Sequence, residues 1–405
     1  MFSRVAAVLV LSAGLAVPLA VAEPGTYFLD AKHLASEKQR LASSSESEET
    51  LRAIRQFADS AMRVGPYSVM DKEQVPPSGD KHDFLSMSPY WWPDTKSPNG
   101  LPFIRRDGER NPEASKIPDR DTLAMTAHAA YTLSLAYYLT GRDEYGARAA
   151  LLLRTWFLDP KTRMNPNMNH GQYIRGRDEG RGAGLIESRH FVSVIEALAL
   201  LEGSKHWSAA DQQAMKKWFG EYFEWLRTSK NGRQEVKAGN NHGNWFEAQY
   251  LAIALYLDRK QDVEESVQRA RKRIAAQIEP DGRQPRELQR TKALQYSTFN
   301  LLALTHIARL AEKAEADLWN FSTPDGRSIR KALDWLLPFV LGTSKFEYRQ
   351  IKPYNPDELV PVLQWATVKY KDAKYAEAAK QLAPGASTID ILLLAQMNSR
   401  KVPGE

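Results

Sequence analysis

The chain contains no cysteine. That one absence excludes disulfide bridges, thiolate metal sites and cysteine nucleophiles. No His-Glu-x-x-His helix, P-loop or Gly-x-Ser-x-Gly elbow is present, so the zinc-hydrolase, nucleotide and serine-hydrolase signatures are missing as well. Gly180-Arg181-Gly182-Ala183-Gly184 is glycine-rich, but no strand is expected before it, and dinucleotide binding is not predicted. Strand-like alternation is scarce, and no tetratricopeptide or ankyrin period occurs. No linker rich in Pro, Gly and Ser divides the chain. Zinc-finger spacing and concentrated Lys/Arg blocks are also missing, which argues against nucleic acid as partner.

What is present describes a globular protein with a leader. Of 405 residues, 43% are hydrophobic and 26% charged, a balance that buries a large core without staples. Arg4 supplies a positive n-region and Val5 to Val17 an apolar run. Ala20 and Ala22 then stand three and one positions before a cut ahead of Glu23. The run is too short to span a membrane and Pro18 interrupts it. The expectation is a signal peptide over 1–22 and a single domain over 23–405. The mature protein would be soluble and monomeric, in the periplasm or secreted, with no membrane association once the leader is cut. The net charge of +6 favours a polyanionic partner, and an exported protein meets acidic polysaccharide sooner than nucleic acid.

Helical periodicity dominates after the leader. Ser208 to Ser229 opens with Ser208 and Asp211 in a capping-box pattern, then places Met215, Trp218, Phe219, Tyr222, Phe223 and Leu226 on one face. Asp121 to Leu139 is a second helix, with Gly141 as its C-cap. Leu185 to Leu201 and Trp245 to Tyr256 follow. Further amphipathic segments lie near Ser47–Val64, Tyr145–Phe157, Asp262–Ile278, Ser297–Ala314, Ile329–Leu341 and Pro356–Tyr370. The fold class expected is all-α: antiparallel helical hairpins in an (α/α) toroid or barrel, closed or incomplete.

Three long polar stretches interrupt the helices: Asp71–Asp119, Asn165–Gly184 and Lys230–Asn244. Their density of Trp, Tyr and Arg argues against disorder and for a site. The first carries Ser88-Pro89-Tyr90-Trp91-Trp92-Pro93-Asp94 and then Arg106-Asp107-Gly108-Glu109-Arg110-Asn111-Pro112. Aromatic faces stack on sugar rings and arginines pair with carboxylates, so this interleaving suits an acidic sugar chain. An aromatic plug closed by Arg–Asp pairs is the competing reading. The second motif, Asn240-Asn241-His242-Gly243-Asn244-Trp245, sets donors and a titrating imidazole at a helix entrance, though ordinary capping would look the same. The other histidines, His128 and His306 included, read as structural. In the third, Glu287 to Tyr296, Arg290 and Tyr296 need not share a face by helical register alone. A bend near Thr291 would bring them together, and a cationic neighbour lowers a phenol's pKa.

In their order and combination, these motifs resemble the alginate lyase superfamily, which includes periplasmic poly-mannuronate lyases. The resemblance runs from about Asp71 to Leu341 and implies an α/α toroid with a polymer cleft and metal-independent β-elimination, without cofactor. It departs from the poly-mannuronate pattern at one point: no glycine separates Arg290 from Thr291, which leaves the preferred uronate open. The implied catalytic residues are Asn241, His242, Arg290 and Tyr296. Asn241, supported by Asn240, would hold the uronate carboxylate and Arg290 would add positive charge. Tyr296 would take the C5 proton, donate to the glycosidic oxygen, or do both. His242 would assist neutralisation or act as base for the opposite epimer. Tyr90, Trp91, Trp92, Arg105, Gln172 and Arg181 would bind substrate. Glucuronan or another polyuronate is an alternative substrate. A toroid glycosidase drawing on Glu187, Glu247, Asp281 or Glu287, or a non-catalytic polyuronate binder, is an alternative function.

Overall fold

The computed structural model describes residues 23–43 and 47–383; the leader expected over 1–22 lies outside them. Its helices are α1 (Ala31–Ser43), α2 (Glu48–Met62), α3 (Asp119–Thr140), α4 (Asp143–Leu153), α5 (Phe191–Leu201), α6 (Ala209–Thr228), α7 (Lys230–Glu235), α8 (Asn241–Tyr256), α9 (Lys260–Gln277), α10 (Pro285–Leu288), α11 (Ala293–Ala311), α12 (Ile329–Val340), α13 (Val360–Tyr370) and α14 (Ala373–Leu382). Two layers follow from their sequences. In α5 and α8 nearly every side chain is buried, on all faces of the helix. Each of α6, α9 and α12 buries a single face. The inner helices α3, α5, α8, α11 and α13 pack on one another in succession. Helices α2 and α4 lie outside α3, α6 and α9 outside α8, α12 outside α11 and α14 outside α13. The fold is the α/α toroid that the sequence led us to expect.

The toroid has two unlike ends. The start of α3 reaches the segment before α5 through Arg120 and Glu187, 3.8 Å apart, and the start of α8 reaches that before α11 through Asn241 and Glu287. Amino termini of the inner helices thus gather at one end, where their dipoles favour negative charge. At the other end residues 26–30 enter the ring. Glu196 of α5 accepts the backbone N–H groups of Tyr27, Phe28 and Leu29 at 2.9, 2.9 and 2.8 Å. The Phe28 ring meets Trp365 and His306, and the Phe28 carbonyl accepts from Arg309. His306, which bonds the Leu302 carbonyl, is structural as expected.

The capping box at Ser208 and the left-handed Gly141 cap stand as expected. Several boundaries differ. The first six residues of the helix expected from Leu185 belong to a 3-10 helix, Gly182–His190, whose Gly184 lies against the backbone of Gly171 with no room for a side chain. Lys230–Asn244 is mostly helical: α7 is capped by Ser229, and α8 begins at Asn241, four residues before the expected Trp245. Asn and Gly are poor helix formers, and a tertiary bond to Glu287 fixes that first turn. Asp71–Asp119 and Asn165–Gly184 contain short strands. β1 (Leu85–Met87) runs parallel to β4 (His170–Tyr173), and β2 (Trp91–Trp92) antiparallel to β3 (Ile104–Arg105). A strand therefore does precede the glycine-rich 180–184 run, but it belongs to a two-stranded ribbon between distant loops, with no βαβ unit around it. A small core of Leu85, Met87, Phe103, Ala114, Ile117 and Ile174 holds these loops in place.

Candidate active site

The first turn of α8 and the α10–α11 junction meet at the open end. Glu287 receives both the backbone N–H and the side-chain amide of Asn241, at 2.6 and 2.7 Å. That clamp fixes the amide of Asn241 and leaves its second N–H available. Burial pushes the Glu287 carboxyl up, against the bonds from Asn241 and the nearby charges of Arg290 and His242. His242, next in the chain, brings Nδ1 to 2.7 Å from buried Glu235 at the end of α7. With Nδ1 donating to Glu235, Nε2 is an acceptor in the neutral imidazole and a donor in the imidazolium. Asn240 is the N-cap of α8 and makes no side-chain capping bond.

Arg290 and Tyr296 do meet. The bend expected near Thr291 is there, because Asp107 takes the Arg290 guanidinium at 2.7–3.1 Å together with the backbone N–H and hydroxyl of Thr291. Gly108 allows this approach: at φ +78° a Cβ there would sit 2.4 Å from the Thr291 hydroxyl. The guanidinium lies 3.7 Å from the Tyr296 ring centroid, and the Tyr296 hydroxyl donates to that of Tyr90 at 3.0 Å. Lys292 Nζ is 3.4 Å from the same Tyr90 oxygen. Burial favours a neutral Asp107, but bonds from Arg290 and Thr291 hold its carboxyl well below the usual range. The expectation of a lowered phenol pKa is overturned. Burial, then the adjacent Tyr90 hydroxyl, push Tyr296 well above its usual value, while the charge of Arg290 is shared with Asp107. Tyr296 rests as a phenol.

On the flank, Trp91 pairs with Arg105 across the β2–β3 ribbon, and Arg105 donates to Asp107 at 2.7 Å. Arg177 and Arg181 lie 5.1 and 5.9 Å from the Trp91 ring. Arg181 donates to Gln172 at 2.9 Å, and Gln172 to Glu187 at 3.2 Å. Gln172 has a left-handed φ of +50°, uncommon for a residue with a side chain. Buried Glu187 also accepts from Ser86 at 2.5 Å. Trp92 turns aside, with Arg106 on its ring and its indole N–H on the Glu109 carbonyl.

A model of the alginate lyase family matches residues 68–346. The chain belongs to the alginate lyase family. It is accordingly a polysaccharide lyase, a carbon–oxygen lyase, and the glycosidase and binder readings fall. An alginate lyase from Bacteroides ovatus is 38% identical, with a TM-score of 0.85 over 93% of this chain and all of that one (100%). A histidine-to-alanine variant of alginate lyase A1-III complexed with tetrasaccharide is 16% identical, with a TM-score of 0.58 over 90% and 98% of the two chains. Alginate lyase A1-III from Sphingomonas species A1 is 17% identical, with a TM-score of 0.51 over 82% and 94%. These last two share the fold. Among curated proteins, none matches the chain.

Three of the residues found in the sequence acquire partners that their motifs did not reveal: Arg290 gains Asp107, His242 gains Glu235, and Tyr90 gains Lys292. Asp107 and Lys292 stand inside motifs already singled out, but nothing local marks an aspartate as the partner of an arginine far along the chain. Glu235 lay in a stretch read as loop. Glu287 and Glu187, weighed as glycosidase carboxylates, instead clamp Asn241 and Gln172.

Proposed function

We propose that the protein cleaves alginate, with poly-mannuronate as its preferred polymer, by β-elimination at this site. The observation that carries the reading is the Tyr296 phenol, held between the Arg290 guanidinium and the Tyr90 hydroxyl. Elimination removes the proton from C5, breaks the bond from C4 to the glycosidic oxygen and leaves a C4–C5 double bond. The C5 proton is weakly acidic until the adjacent carboxylate is neutralised. Asn241, with its amide fixed by Glu287, and His242 supply donors at a helix amino terminus, and Arg290 supplies charge. In mannuronate the C5 proton and the leaving oxygen lie on one side of the ring, so one group serves both. Once its own proton has passed to solvent, Tyr296 takes the C5 proton as a phenolate, with Arg290 and Lys292 countering its charge, and passes that proton to the glycosidic oxygen, ending as the phenolate it began as. Arg105, Arg181 and Trp91 bind neighbouring sugars, with buried Gln172 holding Arg181 in place, in keeping with the tetrasaccharide carried by the A1-III variant. Neutralisation by side chains makes this route independent of metal.

The Glu235–His242 bond of 2.7 Å favours a second reading, in which His242 Nε2 is the base for guluronate, whose C5 proton is presented from the opposite side. Export through the leader, action as a monomer and a single domain over 23–405 belong to the same proposal. The test is ultraviolet absorbance of purified protein with poly-mannuronate, poly-guluronate and glucuronan, with and without chelator. A rise on poly-mannuronate that survives chelator and vanishes in Tyr296→Phe supports the reading. A rise on poly-guluronate that depends on His242 favours the second one, and a flat trace on all three overturns both.

A further inference from the structure

Beyond the reaction centre, the outer helix α12 and the chain after it carry four aromatic rings in mutual contact. Trp335 lies 4.8 Å from Phe339 and 6.2 Å from Tyr348, while Phe346 lies 5.4 Å from both Phe339 and Tyr348. None of the four is fully buried, and Tyr348 and neighbouring Ile351 are each 36% exposed. Trp335, Phe339 and Phe346 pack one side against the main core, and Tyr348 and Ile351 leave apolar surface exposed beside them, the kind of patch that marks a contact surface.

Its position says what it contacts. The segment after Tyr348 is laid along the catalytic strip: the Ala293 N–H donates to the Arg349 carbonyl at 3.0 Å and the Ile351 N–H to the Thr291 carbonyl at 2.9 Å. The Leu294 N–H donates to the Gln350 side chain at 3.1 Å. Thr291 also bonds Asp107, and a Cβ on Gly108 would lie 3.1 Å from the tip of Ile351. The aromatic rings and the Trp91 ribbon are thus joined to the same short strip, 290–294. Charge completes the description. Lys345, Arg349 and Lys352 are exposed around the rings against Glu347, and Arg283 spans Asp281 and Tyr348.

We propose that Trp335, Phe346 and Tyr348 form a distal subsite for the same polymer, several sugars from the bond that is cut. Rings beside exposed cations match a chain whose sugars each offer a C–H face and a carboxylate. The subsite holds long chains in register and contributes nothing to oligomers too short to reach it. The inference rests on the reading of the substrate as a uronan.

The experiment compares KM and kcat for alginate polymer and for an alginate tetrasaccharide in Tyr348→Ala, Trp335→Ala, the exposed double reversal Lys345→Glu/Lys352→Glu, and Tyr348→Phe. Polymer binding is measured alongside by calorimetry in a Tyr296→Phe background. Tyr348→Ala should raise KM for polymer about five- to tenfold, the size of one stacking contact, with kcat and the tetrasaccharide unchanged. The charge reversal, which leaves the rings in place, should move KM the same way, and Tyr348→Phe should match wild type. Unchanged polymer KM and binding in all variants overturns the subsite. Equal losses on both lengths overturn it too, since they place the effect in the strip 290–294. Loss of a protein dimer on sedimentation with polymer binding intact makes the patch an interface between copies instead. If wild type cleaves no uronan, the proposed function fails alone, and the calorimetry still decides whether the rings bind polymer.

Discussion

The two ends of the toroid are closed by different chemistry. At the plugged end, residues 26–30 enter the ring with aromatic packing and one buried carboxylate, Glu196, which meets three backbone N–H groups. At the open end, ion pairs and amide clamps take the place of packing: Lys72 with Asp119, Asp107 with Arg290, Glu187 with Gln172 and Arg120, and Glu287 with Asn241. A buried ion pair is a poor way to gain stability, since desolvation offsets most of the attraction. Its use here, beside the reaction centre, marks charges kept for what they hold in place. The plugged end is built to stay shut, and the open end to present groups at fixed angles.

Variants should separate the two ends cleanly. The largest effect belongs to Tyr296→Phe, which removes the proton-carrying hydroxyl and leaves the ring under Arg290. The rate should fall by about 10³-fold, within the range of a general acid–base group, with the melting temperature nearly unchanged. Absorbance at saturating polymer, with a thermal melt of the same sample, reads both. Glu196→Ala is the converse. It strands three buried N–H groups and should lower unfolding stability by about 3 kcal/mol in a denaturant titration, while kcat per folded molecule stays at wild type. A fall in kcat for Glu196→Ala would show that the ends are coupled and break the comparison.

How much of this the sequence disclosed follows the same division. Periodicity and capping exposed the helices because each rests on residues three or four apart: Ser208 with Asp211, and Gly141 closing α3. The catalytic candidates Asn241, His242, Arg290 and Tyr296 were legible because their motifs are dense in unusual residue types, and the structure gathers them. Their partners were hidden. Asp107 lies 183 residues from Arg290 and Glu287 46 from Asn241, and no local pattern distinguishes a carboxylate that will be buried from one that will be solvated. The pKa of Tyr296 was misjudged for the same reason: Arg290 was visible, whereas burial and the Tyr90 hydroxyl come from tertiary structure. The plug at 26–30 left no mark, since Glu196 reads as one acidic residue inside an otherwise apolar helix.

A smaller effect tests whether the open end's charges act through geometry. Glu235→Gln keeps the size of the side chain and removes the charge that orients His242. Activity should fall about 30-fold, in the range seen when an orienting partner is lost, with little change in KM. If His242 is only a donor to the substrate carboxylate, the loss falls equally on both epimers. If it is the base for guluronate, poly-guluronate activity falls further than poly-mannuronate activity. Equal rates in Glu235→Gln and wild type on every polymer would mean that the 2.7 Å bond serves only to pack α7 against α8.

The smallest effect is a slope. Asp119 is fully buried at the start of α3, 2.9 Å from Lys72, and accepts the Leu85 N–H that begins the β1 strand. Burial pushes its carboxyl up to about 6, against the attraction of Lys72. A carboxyl whose pKa is higher folded than unfolded binds more protons in the folded state, so its contribution to stability is present below the unfolded value and fades as the pH rises to the folded one. Between about pH 4 and 6 this group should make the protein less stable with rising pH, by about 1 kcal/mol per pH unit. That opposes Asp107, whose depressed pKa makes stability fall on acidification, over a range below that of Asp119. In Asp119→Asn the slope between pH 4 and 6 should flatten, while Glu196→Gln should alter the same window only through the plugged end. The two variants then differ in where stability is lost: hydrogen exchange should rise at residues 85–87 in the first and at 27–29 in the second. An unchanged slope in Asp119→Asn would mean that the Lys72–Asp119 pair stays ionised across the window and that attraction, not burial, governs the charges of the open end.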